Sequence, residues 1–158
     1  MLVGSVADVL LKQGLALGAA ESCTGGLIAA ACTDLAGSSA WFERGFVTYS
    51  NASKTEMLGV PAALIARDGA VSESVARAMA LGVLAHSYAQ VAVAVTGVAG
   101  PTGGSLDKPV GTVWFSFAVP GQVVTEKCLF PGGRADVRAA TVQHALTRLL
   151  ELLKPIET

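Results

Sequence analysis

Apolar and polar positions divide the chain into short blocks that fit strands and helices in alternation. The runs LALGAA and VAVAVTG are almost wholly apolar and of strand length, which is typical of strands buried on both faces of a sheet. Two strand-like runs around Pro120 and Gly121 predict a hairpin. From about residue 135 to residue 153, apolar residues recur at helical spacing, so a long final helix is predicted.

Capping residues predict where other helices begin and end, because a hydroxyl or amide oxygen accepts hydrogen bonds from the first free backbone N–H groups. A helix over residues 24 to about 34 is predicted directly after the stretch AESCTGG. Residues 46–50, FVTYS, are predicted as a strand. The predicted caps and helix ends are Ser5 with Lys12 and Gly14, Asn51 with Gly59, and Ser72 with Tyr88.

This alternation predicts an α/β fold: a single three-layer domain over residues 1–158, with a mixed β-sheet and helices on both faces. A length of 158 residues fits one domain. Charged residues make up only 15% of the chain, against roughly 25% in an average globular domain. The low charged fraction predicts extensive burial, and we expect a homodimer or a higher homo-oligomer.

Charge and cysteine content argue against several classes of function. The chain has 11 Lys and Arg residues and 12 Asp and Glu residues, a net charge of −1, so we expect no binding of nucleic acid. Its 3 cysteines lack CxxC spacing, which argues against a zinc site, and no metal or other cofactor is expected. No apolar run reaches about 18 residues, and the first residues lack the basic region of a signal peptide. We therefore expect no membrane association and a cytoplasmic location.

Two glycine-rich corners follow predicted strands, at residues 22–26 and residues 96–104. Ligands of open α/β sheets bind at the carboxyl ends of strands, and glycines let backbone N–H groups approach an anion. Neither corner matches a known phosphate-binding motif, so tight turns without a ligand remain the alternative.

Ser22 is the first candidate nucleophile, since it lies just before a predicted helix start, where developing negative charge is stabilised. The backbone N–H groups of Thr24, Gly25 and Gly26 are candidates for an oxyanion site. Cys23 is the rival nucleophile, because helix starts favour thiolates. No histidine partner for it is evident, so Cys23 ranks below Ser22.

A serine nucleophile needs a base. His86 and His144 both fall in predicted helices and are more typical of structural or surface histidines. A lysine is the alternative base if its pKa is lowered. By position the best lysine is Lys54, which closely follows a predicted strand end and lies near Tyr49. An exposed helix lysine is the competing interpretation.

Five blocks, in matching order from about residue 15 to residue 149, resemble the CinA C-terminal domain family, the nicotinamide mononucleotide deamidases. Each block is weakly specific alone, and together they are highly specific. The blocks are AESCTGGLIAAACTDLAGSS, GFVTYSNASKTEMLGV, DGAVSESVARAMALG, the interrupted block AVTGVAGPTGG…KPVGTV, and GGRADVRAATVQHAL.

The resemblance implies an amidohydrolase without a cofactor that converts nicotinamide mononucleotide to nicotinic acid mononucleotide and ammonia. It implies Ser22 as nucleophile and Lys54 as base, and Tyr49 is a candidate to relay a proton or orient the lysine. The chain departs from the family pattern at Ser53, where alanine is usual, and at residues 105–107, where Thr-x-Glu is usual. Longer family members carry an N-terminal domain linked to ADP-ribose pyrophosphatase activity, which we expect this chain to lack.

The expected ligand is a small nucleotide. Arg134 and Arg138, one helical turn apart, are candidates for its phosphate, with a solvated helix face as the alternative. Two other functions stay open: a nucleotide-binding or regulatory module that has lost the chemistry, and a metal-dependent phosphate-handling transferase. The candidate substrate-binding residues are Thr24, Gly25, Gly26, Asn51, Thr96, Gly97, Gly100, Gly103, Gly104, Arg134 and Arg138.

Overall fold

The computed structural model describes residues 1–154. Within that range the chain forms helices and strands in alternation, with a short 3₁₀ helix at Ser38–Ala40. The α-helices are α1 Leu2–Gln13, α2 Leu27–Thr33, α3 Asn51–Leu58, α4 Ala62–Asp68, α5 Glu73–Ala85 and α6 Arg134–Leu153. The strands are β1 Leu17–Glu21, β2 Phe42–Val47, β3 Val91–Gly97, β4 Thr112–Val119 and β5 Gln122–Leu129.

The strands form one 5-stranded sheet in the order β2-β1-β3-β4-β5. Strand β1 pairs in parallel with β2 and β3, whereas β4 and β5 are antiparallel and form the predicted hairpin. The predicted mixed sheet is therefore confirmed. Because the three parallel strands share a direction, their carboxyl ends meet at one edge, where Glu21 pairs with both Val47 and Val95.

Two hydrophobic clusters cover the two faces of the sheet, as predicted for three layers. Successive side chains of a strand point to opposite faces, so Val93 joins one cluster and Ala94 the other. The first cluster contains residues of α1, α2 and α6, and the second contains residues of α3, α4 and α5. Within residues 1–154 no helix is both long and apolar enough to cross a membrane.

Several predicted helix boundaries are wrong. Ser5 lies inside α1, which begins after Met1, and its hydroxyl donates to the Met1 carbonyl. The cap of α3 is Ser50, whose hydroxyl accepts from the Ser53 N–H, so Asn51 is the first helical residue. In both cases the chain turns into the helix earlier than the predicted cap. The caps Gly14, Gly59 and Ser72 are confirmed.

Other boundaries differ because neighbours in the sheet decide them. Strand β2 begins at Phe42 and ends at Val47, so residues 48–50 of FVTYS follow the strand, and only Thr48 keeps a backbone hydrogen bond to β1. Helix α2 begins at Leu27 rather than at residue 24, because Gly25 and Gly26 adopt positive φ angles of 58° and 111°. Helix α5 ends before Tyr88, and α4 was not predicted.

Candidate active site

Ser22 occupies the first position after β1, at the edge where the parallel strands end. Its N–H donates to the Val95 carbonyl of β3 at 3.2 Å, which fixes its backbone to the sheet. The Gly25 N–H donates back to the Ser22 carbonyl at 3.1 Å and closes a tight turn. Only glycine adopts the left-handed conformation of this turn without strain, so the two glycines serve the turn itself.

The carboxylate of Glu21 caps helix α2 from the preceding strand. One carboxylate oxygen accepts from the Thr24 hydroxyl at 2.6 Å and from the Ile28 N–H at 2.8 Å, and the other accepts from the Ala29 N–H at 3.0 Å. The positive end of the helix is therefore neutralised by Glu21. Ser22 does not lie at a free helix start, which corrects the expectation from the sequence.

Lys54 lies beside Ser22, as predicted. Its Nζ is 3.1 Å from Ser22 Oγ and donates to the carbonyls of Thr48 and Tyr49 at 2.9 and 3.4 Å. The residue is only 1% exposed, so the competing interpretation of an exposed helix lysine is wrong. Burial lowers the pKa of the Lys54 ammonium, because a charge is less stable away from water.

Cys23, the rival nucleophile, is held in its protonated form. Burial, with a smaller contribution from the nearby Glu21 carboxylate, raises the pKa of the Cys23 thiol to about 11. The histidines lie elsewhere: His86 Nδ1 is 2.8 Å from the Gly82 carbonyl, and His144 Nε2 is 2.6 Å from Glu126. Neither histidine lines the cavity at Ser22.

A cavity of about 240 Å³ opens above Ser22 and Lys54. The sequence analysis did not single out Ala70 and Val71, two apolar lining residues on the segment between α4 and α5, whereas Ala99 lies in the predicted corner of residues 96–104. The lining residues are Ser22, Cys23, Tyr49, Asn51, Lys54, Ala70, Val71, Thr96, Gly97, Ala99 and Arg134.

Tyr49 contributes its backbone, not its phenol, to the lysine. The Tyr49 carbonyl accepts from Lys54 Nζ, while the phenol oxygen accepts from the Arg134 guanidinium at 3.3 Å. The side chain is 61% exposed at the rim of the cavity. This placement does not fit a proton relay through the phenol between Ser22 and Lys54.

The two candidate arginines have different surroundings. Arg134 lines the cavity, where it donates to the Gly100 carbonyl at 2.9 Å and to Tyr49. Arg138 instead donates to the carbonyls of Cys23 and Thr24, at 3.1 and 3.2 Å. In the part of the chain from residue 1 to 154, neither arginine has a carboxylate within ion-pair distance. Arg134 therefore gives the cavity a positive charge that forms no ion pair with an acidic side chain of residues 1–154.

Several predicted ligand-binding residues lie outside the cavity lining. One of them is Thr24, whose hydroxyl donates to Glu21. Thr96 does line the cavity, but its hydroxyl donates to the Ala70 carbonyl at 2.9 Å. The backbone N–H groups of Cys23 and Thr24 form no bond to a carbonyl of residues 1–154. The predicted residues that do not line the cavity are Thr24, Gly25, Gly26, Gly100, Gly103, Gly104 and Arg138.

Known proteins of one family resemble this chain in sequence. The profile of the CinA C-terminal domain matches residues 1–153. The chain is 56% identical over 151 residues to the nicotinamide-nucleotide amidohydrolase PncC of Enterobacter agglomerans, covering 94% of this chain and 92% of that protein. It is 51% identical over 145 residues to the PncC of Escherichia coli K12, covering 91% and 88%.

Solved structures of two related proteins have the same fold as this chain. The competence damage-inducible protein A of Klebsiella pneumoniae superposes with a TM-score of 0.94 at 41% identity, covering 99% of this chain and 97% of that one. The competence/damage inducible protein CihA of Agrobacterium tumefaciens superposes with a TM-score of 0.91 at 45% identity, covering 97% and 96%.

Proposed function

The chain belongs to the CinA C-terminal domain family, and from that premise we propose that it is a nicotinamide-nucleotide amidohydrolase acting through Ser22 and Lys54. The substrate is nicotinamide mononucleotide, and the products are nicotinic acid mononucleotide and ammonia. The observation that carries the proposal is the 3.1 Å contact between a buried lysine amine and a serine hydroxyl at the floor of a cavity.

The first step is proton transfer from Ser22 Oγ to neutral Lys54 Nζ as the oxygen attacks the carboxamide carbon. A base must be unprotonated near the working pH, and an ordinary lysine with a pKa of about 10.4 is not. Burial lowers the pKa of Lys54, which is the direction that a lysine base requires. The carbonyls of Thr48 and Tyr49 hold the amine in place.

The attack moves the electron pair of the carboxamide C=O onto its oxygen. The N–H of Cys23, which lines the cavity and has no carbonyl partner in the described chain, is the nearest backbone donor to Ser22 along the sequence. Donors preorganised for such an oxyanion lower the barrier. The C–N bond then breaks, the Lys54 ammonium returns the proton to the departing nitrogen, and ammonia leaves.

Water resolves the ester left on Ser22. Lys54 accepts a proton from the attacking water, the acyl–oxygen bond breaks, and Ser22 Oγ takes the proton back from the ammonium. The product is a carboxylic acid, which loses its proton to the released ammonia or to water, so each turnover consumes one water molecule and releases one ammonia. Every proton transfer in the cycle uses only Ser22 and Lys54.

Charge at the rim of the cavity favours an anionic substrate. Arg134 faces the cavity without a carboxylate partner in residues 1–154. Its guanidinium suits a phosphate, which it binds through paired N–H donors. Asn51 lines the same cavity and offers an amide to the sugar or the carboxamide. A mononucleotide with an amide at one end and a phosphate at the other fits this arrangement.

The decisive experiment measures ammonia release from nicotinamide mononucleotide by the purified chain and by Ser22→Ala. We expect turnover in the wild type and none above background in the variant, with substrate binding retained by calorimetry. Binding without ammonia release in the wild type would instead identify a nucleotide-binding module without the chemistry. Dependence of turnover on a divalent metal would contradict the proposal.

A further inference from the structure

The turn that carries Ser22 is held from two sides by charged side chains that do not line the cavity. On one side is Glu21, the last residue of β1, and on the other is Arg138 of α6. Neither makes an ion pair within residues 1–154. Instead, the Glu21 carboxylate accepts hydrogen bonds from one hydroxyl and two backbone N–H groups, and the Arg138 guanidinium donates to two backbone carbonyls. All of these groups belong to residues between 23 and 29.

A buried carboxylate without a cation is costly unless hydrogen bonds compensate for the lost water. Glu21 is 1% exposed and obtains three such bonds, from the Thr24 hydroxyl and from the N–H groups of Ile28 and Ala29. These bonds tie the residue before Ser22 to the first turn of α2. The five residues between them therefore form a loop with both ends fixed.

Arg138 fixes the orientation of the peptide planes inside that loop. Its guanidinium binds the carbonyl oxygens of Cys23 and Thr24. A peptide group is planar and trans, so its C=O and N–H point in opposite directions. With the Cys23 and Thr24 carbonyls held by Arg138, the two peptide groups that follow Cys23 cannot rotate, which restrains the neighbouring Cys23 N–H.

We propose that Glu21 and Arg138 are positioning residues that clamp the nucleophile turn from its two sides and hold the N–H of Cys23, a residue that lines the cavity, as an oxyanion donor. This inference rests on the proposed amidase function and assigns Arg138 a role other than phosphate binding. Glu21 sets where the turn begins and ends, and Arg138 sets how its central peptide group is rotated. Loss of either clamp leaves the substrate-binding residues in place and reduces the stabilisation of the transition state.

The clamp and a phosphate site predict opposite kinetics. A residue that binds the substrate phosphate equally in ground and transition states changes KM, whereas one that positions an oxyanion donor changes kcat. Removal of one oxyanion donor lowers kcat by about 100-fold or more. We expect Glu21→Gln and Arg138→Gln to lower kcat by about 10- to 100-fold, with KM near the wild-type value.

Arg138→Lys tests whether a positive charge at this position is sufficient to hold the nucleophile turn. Lysine keeps the positive charge but lacks the planar fork that reaches two carbonyls at once. We expect this variant to be as slow as Arg138→Gln. Recovery of wild-type kcat in Arg138→Lys would overturn the role of the fork in rotating the peptide group.

Counting active sites separates positioning from simple loss of fold. Labelling Ser22 to completion with a fluorophosphonate gives the number of competent sites, and kcat is then expressed per labelled site. The matched control is Ser87→Ala, which removes bonds to the Val83 carbonyl and from the Ala89 N–H before β3, at the opposite end of that strand from the site. We expect the control to keep wild-type kcat per site.

Two results would overturn the clamp: a raised KM with unchanged kcat in Arg138→Gln, or unchanged kcat per labelled site in both clamp variants. If Glu21→Gln does not fold, Thr24→Val removes one of the three bonds to Glu21 and must still lower kcat per site. If the wild type releases no ammonia, the amidase proposal fails. The labelling rate of Ser22 then decides on the clamp alone: slower labelling in both variants supports it, and unchanged labelling contradicts it.

Discussion

Lys54 Nζ lies 3.1 Å from Ser22 Oγ, although the two residues are 32 positions apart in the chain. The parallel pairing of β1 and β2 brings them together, because the pairing continues one step beyond β2, where the Thr48 N–H donates to the Glu21 carbonyl at 2.9 Å. The Thr48 carbonyl then accepts from Lys54. Thr48 therefore links β1, the strand before the nucleophile, to the amine of the proposed base.

Replacing Ser22 by alanine is expected to lower kcat by about 10⁴-fold or more, because the nucleophile is lost. Cys23→Ala is the matched control, since the neighbouring thiol has a pKa of about 11 and is protonated at neutral pH. It should stay within about tenfold of wild type, a barrier change below about 1.4 kcal/mol. An inactive Cys23→Ala with an active Ser22→Ala would reverse the assignment of the nucleophile.

The rate of ammonia release should rise with pH and then level off. Lys54 acts as the base only when neutral, and burial lowers its pKa, so the neutral fraction grows through a pH range below that of an ordinary lysine. The profile of kcat/KM against pH measures this directly. A rate that falls with rising pH over the same range would contradict a lysine base.

Lys54→Arg should be nearly as inactive as Lys54→Ala. Arginine keeps a positive charge at this position, but its pKa above about 12 prevents it from giving up a proton near neutral pH. Both variants are compared by kcat with thermal unfolding as the control for folding. Near-wild-type activity in Lys54→Arg would eliminate the proposed mechanism.

Arg134→Gln should raise KM for nicotinamide mononucleotide by about 10- to 100-fold, since a hydrogen bond to a charged group contributes about 1.5–3 kcal/mol. Its kcat should change little, because the phosphate is remote from the bond that breaks. Nicotinamide riboside, which lacks the phosphate, is the matched control substrate and should show the same KM in wild type and variant. If wild type and Arg134→Gln have the same KM for nicotinamide mononucleotide, the phosphate does not bind at Arg134.

Gly82→Ala should lower the free energy of unfolding by about 1–3 kcal/mol through overpacking. A Cβ at this position of α5 would clash with the Leu58 carbonyl and lie 2.9 Å from Leu58 Cβ, on the helix that carries Lys54. We therefore expect kcat to fall as well. Gly4→Ala in α1 is the control: its Cβ meets nothing closer than 3.6 Å, so stability should rise by up to about 1 kcal/mol. Chemical denaturation of both variants measures the difference.

The sequence by itself determined most element types, with α4 the exception, as well as the hairpin at Pro120 and Gly121, the mixed sheet and the turn at Ser22. These features follow from local chemistry: apolar runs of strand length, helical spacing of apolar residues, and glycines where the backbone needs positive φ. Lys54 was identified as the best base by its position after a strand, and the resemblance to the family implied the same residue.

Only the tertiary structure decided what each charged side chain touches. Arg134 and Arg138 lie one turn apart on α6 and are chemically identical, yet one faces the cavity and the other binds the carbonyls of the nucleophile turn. Glu21 reads in the sequence as an ordinary charged residue at a strand end, and folding buries it as the cap of α2. These differences arise because the packing of α6 and α2 against the sheet depends on contacts between residues far apart in the chain, which no local pattern encodes.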